Sequence, residues 1–172
     1  MARIIRDGRI VDDAWQVVPA TEETSAPTAL PEQAIVPLSL WQARKNEILA
    51  RGKPVGLWLD SHEDPETIAA DLAHFAVVAI HFPKFTDGRA YSTARLLRER
   101  YAYAGELRAI GDVLRDQLFF MRRCGFDAYA VRADKDIEAA LAGFGDFPES
   151  YQAAADQPLP LFRRRSAGTP LT

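Results

Sequence analysis

From residue 55 onward the chain repeats one pattern four times: a short apolar run, a polar bend, then apolar residues at helical spacing, with the runs at 55–59, 77–82, 106–110 and 126–131. Strands separated by helices are joined by crossovers rather than tight hairpins, so they run parallel and the helices cover the sheet. The pattern predicts an α/β fold, a parallel sheet of about four right-handed βα units, either open and Rossmann-like or curved as a half-barrel. A chain of 172 residues holds one such domain, with short appendages.

Local signals place the helices. Asp64 followed by Pro65 reads as an N-cap and first helical position, with Ile68, Leu72 and Phe75 facing inward. Ser92 starts the second helix, which packs Ala94, Leu97 and Tyr101. Asp112 is expected to cap the third, whose Val113, Leu114, Leu118, Phe120, Met121 and Cys124 form a buried stripe ending at Gly125. Asp134 is expected to cap the fourth, with Ile137, Ala140, Leu141 and Phe144 inward. A short helix over 151–155 and a basic stretch at 161–165 follow.

Ahead of these units, β-branched residues flank Asp7-Gly8, which suits a tight turn, so residues 1–18 read as an N-terminal β-hairpin. Residues 19–37 hold Pro19, Pro27 and Pro31 among small and polar residues and read as a linker. Ser39 with Gln42 matches a capping box that opens the domain at 38–165, and 166–172 reads as a flexible tail.

Composition removes several function classes. A single cysteine forms no intramolecular disulfide and no multi-thiolate cluster. No apolar run approaches the ~20 residues of a membrane-spanning helix, and the charged start is unlike a signal peptide, so the cytoplasm is the expected compartment, without a membrane partner. The pI of 5.6 and the lack of a nucleic-acid motif argue against nucleic acid. Glycine-rich dinucleotide, Walker and Gly-x-Ser-x-Gly motifs are missing, as are His-x-x-x-His and Cys-x-x-Cys spacings, so neither a cofactor nor a metal is expected.

In parallel α/β folds, ligands bind at the carboxyl ends of the strands. That rule selects the stretches 60–63, 81–89, 111–116 and 132–134. In the second, Lys84 and Arg89 are cationic and Thr86, Asp87 and Ser92 can hydrogen-bond, a set suited to a small oxyanion, with Arg115 completing it from the next unit. His62 and His81 at strand ends, with Asp112 and Asp116, are candidates for proton transfer. Simpler roles compete: a turn at Asp87-Gly88, an Arg89–Asp87 pair, and Ser92 and Asp112 as plain caps. Cys124 reads as a core residue. Residues 84–123 hold nine basic and five acidic side chains, a net +4 that would form a basic face through Arg95, Arg98, Arg100 and Arg108.

The stretch containing Phe85-Thr86-Asp87-Gly88-Arg89, Ser92-Thr93-Ala94-Arg95-Leu96-Leu97-Arg98-Glu99-Arg100, Gly105-Glu106-Leu107-Arg108-Ala109-Ile110-Gly111-Asp112-Val113-Leu114-Arg115-Asp116-Gln117 and Arg123-Cys124-Gly125-Phe126-Asp127 resembles a bacterial family of unknown function. Members are commonly labelled probable oxidoreductases of sulfite reduction because their genes lie beside assimilatory sulfite or nitrite reductase genes. The resemblance covers about residues 40–165 and supplies no catalytic residue. It implies an accessory role in sulfite reduction, with the reductase or its ferredoxin-type donor bound through the basic face, or a small oxyanion held in the 84–92 loop. A second expectation is an enzyme acting on a phosphorylated or sulfonated metabolite, Lys84 and Arg89 holding the anion while Asp112, His81 or His62 moves a proton. A monomer and an oligomer fit the sequence equally.

Overall fold

The computed structural model describes residues 2–20, 29–146 and 150–166. It is a mixed α/β structure on one sheet of eight strands. In chain order these are β1 (Ala2–Arg6), β2 (Arg9–Asp13), β3 (Gln16–Val17), β4 (Ala34–Pro37), β5 (Val55–Leu59), β6 (Phe75–Phe82), β7 (Glu106–Gly111) and β8 (Ala128–Tyr129). The spatial order is β2-β1-β8-β7-β6-β5-β4-β3, parallel from β3 to β8, with the β1–β2 hairpin added antiparallel beyond β8.

β2 and β3 stand at the two ends of this order, yet only Ala14 and Trp15 separate them in sequence. So short a link spans at most about 11 Å, and the sheet must curl until its edges approach, as a half-barrel does. Of the two architectures the sequence allows, this is the curved one.

The curl gives each strand a convex and a concave side. Val55, Leu57 and Leu59, with Val78, Ile80 and Phe82, join the main core on the convex side beneath the helices. The alternating residues Ile35, Val77, Ala79 and Ile110 form a smaller core on the concave side, covered by Trp15 and Trp58. Burying each large side chain of this kind stabilises the fold by about 1.5–3 kcal/mol. The concave side also contains Arg108, 1% exposed, whose Nη1 donates to Asp13 Oδ2 at 2.8 Å and whose Nε donates to Glu106 Oε1 at 2.7 Å. The Asp13 contact joins the N-terminal hairpin to β7.

The helices are α1 (Leu38–Ala50), a 3-10 helix (Pro65–His74), α2 (Arg89–Arg95) running into a π turn (Leu96–Arg100), α3 (Arg115–Arg123), α4 (Ile137–Ala142) and α5 (Leu161–Ser166). No described helix is long and apolar enough to cross a membrane. Asp64 caps the first crossover through Glu66 N, Gly125 has φ +106° beyond α3, and Cys124 is buried, with its thiol pushed up to about 11 by that burial.

Several boundaries differ from the sequence expectation. The segment read as a linker ends in β4, whose four residues are all buried between β3 and β5; its residues 21–28 lie outside the described set, as does most of the expected tail, 167–172. α1 starts after Pro37 without a side-chain cap, so Ser39 does not open a capping box. α2 begins at Arg89 and places the exposed Ser92 inside the helix rather than at its cap.

Asp112 caps no helix. Its N–H donates to Phe82 O, its carboxylate is taken by other loops, and α3 starts only at Arg115, where the Gln117 side chain accepts from Leu114 N at 2.9 Å. Asp134 is held by Arg132, and Asp136 accepts from Glu138 N and Ala139 N in its place. β8 keeps only two paired residues of the expected run, and Phe120 is 53% exposed. Residues 151–155 form turns around an Ala154–Gln157 bridge, while the basic stretch at 161–165 falls in α5, whose Arg163 and Arg164 amides bond Pro160 O.

Candidate active site at the carboxyl ends of the strands

Parallel strands β5 to β7 deliver their last residues to one rim. β5 leads into Asp60 and Ser61, β6 carries His81 next to its end, and β7 ends in Gly111. Asp60 Oδ1 lies 3.6 Å from His81 Nδ1, and Asp60 Oδ2 lies 3.8 Å from His62 Nδ1. His81 is the better placed of the two imidazoles. Its side chain is one-third exposed against two-thirds for His62, its Nδ1 is buried without a hydrogen-bond partner, and its ring meets Trp58 edge-on at 5.8 Å.

Gly111 makes room for that ring. Its φ is +94°, and a Cβ there would fall 2.4 Å from Phe82 O and 2.9 Å from His81 Nε2. A side chain at 111 would therefore collide with β6 and with the imidazole together.

The 84–89 loop closes the rim from above β6. Asp112 Oδ2 accepts from Phe85 N at 2.9 Å and Asp112 Oδ1 accepts from Arg132 Nη1 at 2.7 Å, so the two segments selected from sequence do meet. Arg89 reaches across to β5, donating to Ser61 Oγ at 3.0 Å and to both oxygens of Asp87. Arg89 first, and then the Ser61 hydroxyl, hold the Asp87 carboxyl well below the usual carboxylate range.

The remaining expected site residues disperse. Arg115 is paired with Asp146 at 2.8 Å, so it does not join Arg89 around a common anion. Lys84, Thr86 and Asp116 are exposed, and Ser92 stands on the outer face of α2 with Arg95 and Leu96. The basic face also thins. Arg108 is internal, and Arg98 is turned inward to Tyr103 O, Gly105 O, Gly125 O and Asp127. Of the four arginines assigned to the face, Arg95 and Arg100 remain exposed, Arg95 paired with Glu99.

Sequence reasoning selected the stretches 60–63 and 132–134 by the strand-end rule but did not single out Asp60, Gly111 or Arg132. Only the register of β5, β6 and β7 shows that Asp60 follows the residue paired with Ile80, directly beside His81. Among the described residues no group of three or more metal-ligating side chains comes together.

The rim thus offers one acid–base pair, His81 with Asp60, beside a guanidinium already shared with Asp87 and Ser61. Such a set places an imidazole beside a carboxylate, the arrangement that general acid–base chemistry uses. Neither the curated proteins nor the solved structures contain a match to this chain. A family model matches residues 56–162, from β5 through the rim to α5, and the chain belongs to that family, described as a bacterial protein of unknown function (DUF934).

Proposed function

We propose that this protein is a cytoplasmic accessory of assimilatory sulfite reduction, and that it acts through the rim by holding a small oxyanion beside His81. The observation that carries this reading is the His81–Asp60 pair at the carboxyl end of β6. Oxyanions such as sulfite exchange a proton near neutral pH, and imidazole is the side chain whose charge changes in that window. Arg89 reaches the rim at Ser61 but is already shared with Asp87, so His81 is the group left to meet the anion.

The pathway assignment is supported by the resemblance of the 82–127 stretch to proteins encoded beside sulfite and nitrite reductases. Exposed Lys84, Arg95 and Arg100 leave a reduced basic surface for an acidic partner, the reductase or its ferredoxin-type donor. A second reading is favoured by the Asp60 contact: an enzyme acting on a phosphorylated or sulfonated metabolite at the same rim, with His81 as the proton-transfer group.

Deleting the gene in its host separates the two. The accessory reading expects normal growth on sulfide or cysteine and failure on sulfate and sulfite as sole sulfur sources. Growth equal to the parent strain on sulfate would overturn it.

A further inference from the structure

We infer that the cavity at the opposite end of the sheet, by the amino ends of β7 and β8, is a second ligand site shaped for a planar, uncharged heteroaromatic ring of purine nucleoside size. The cavity measures about 810 Å³, within the range of small-molecule sites. It lies away from His81: Asp127 precedes β8, and the Asp7-Gly8 turn of the hairpin forms its far wall.

Its surfaces suit a flat ring. Phe126, Tyr129, Leu141 and Phe144 line it, and the Arg122 guanidinium lies 5.3 Å from the Phe144 ring centroid, adding a planar cation to the aromatic wall. Arg122 Nε is buried without a hydrogen-bond partner, and its nearest carboxylate, Asp156, stays at 3.6 Å. The ion pair with Asp156 holds this guanidinium at the wall.

Charge selects against an anionic ligand. Four carboxylates, Asp7, Glu99, Asp127 and Asp156, line the cavity against two guanidiniums, and Arg98 already donates to three carbonyls and to Asp127. Carboxylates lining the cavity accept N–H groups of a base and repel a phosphate.

The wall is also built at a conformational cost, as ligand sites often are. Arg98 projects from the π turn, and its Cγ would stand 2.5 Å from a Cβ at Gly125, so the corner closes only around a glycine. Nearby Ala102 holds a positive φ of 52°.

Calorimetric titration of the full chain with adenosine and with AMP tests the inference. Adenosine should bind saturably with a Kd of about 100 µM, and AMP about tenfold more weakly. Ala155→Trp, a substitution at an exposed position on the cavity lip, should abolish the adenosine heat without lowering the melting temperature, and Phe144→Leu should weaken binding about tenfold. Absence of saturable binding by the wild type, AMP binding as tightly as adenosine, or unchanged affinity in Ala155→Trp would each overturn it. None of these results bears on the sulfur-source phenotype or on His81.

Discussion

Arg108→Met should destabilise the fold by about 3–5 kcal/mol, because it leaves Asp13 without its cation and Glu106 with only Arg6 at 3.5 Å, in a water-poor interior. Arg108 is 1% exposed, and Asp13 and Glu106, at 9% and 13%, have little water to compensate for its loss. The same contact crosses 95 residues of sequence, so its removal also loosens the hairpin that extends the sheet beyond β8. For a chain of this length the loss corresponds to a melting temperature lower by about 10–15 °C, readable by circular dichroism. Adding Asp13→Asn and Glu106→Gln to Arg108→Met should recover part of it, since the cost lies in the orphaned charges rather than in the missing side chain. A single variant melting within about 2 °C of the wild type would contradict this account.

Gly111→Ala should cost about 3 kcal/mol or more, through two effects that add. A residue with a Cβ at φ +94° is strained, and the Cβ meets a backbone oxygen that cannot swing away, Phe82 O at 2.4 Å. The neighbouring His81 ring is the softer obstacle and should be displaced, separating it from Asp60. Gly111→Ala is therefore expected to lower the melting temperature by about 6–12 °C and also to shift the His81 imidazole resonances in NMR spectra. Unchanged His81 resonances would show that the ring does not depend on the room Gly111 leaves.

Much of the fold could be read from residues because the relevant physics is local. Apolar runs at 55–59, 77–82 and 106–110 became parallel neighbours, and Asp7-Gly8 made the hairpin turn. The curl could not be read, because it depends on β2 and β3 lying at opposite edges, and pairing partners are not written in either segment. β4 was hidden for a related reason: its four residues follow three prolines and resemble a linker until the sheet buries them.

The site was half legible. The strand-end rule located the rim, and the 84–89 loop and the turn after Gly111 do meet through Phe85 and Asp112. Which charges would face each other was not legible. Asp127 takes Arg98, Asp146 takes Arg115, and Asp13 takes Arg108 from 95 residues away, so three cations of the 84–123 block are paired with carboxylates from outside it. Histidine at a strand end was a visible signal, whereas its carboxylate partner on the adjacent strand required the β5–β6 register.

Complementation of the deletion strain by His81→Asn, on sulfate as sole sulfur source, tests most directly whether the rim is where this protein works. Asparagine keeps a polar group of similar reach but cannot carry the proton. The account expects a folded variant, with the wild-type circular dichroism spectrum, that fails to restore growth while wild type and Arg115→Ala both restore it. Full restoration by His81→Asn would contradict it.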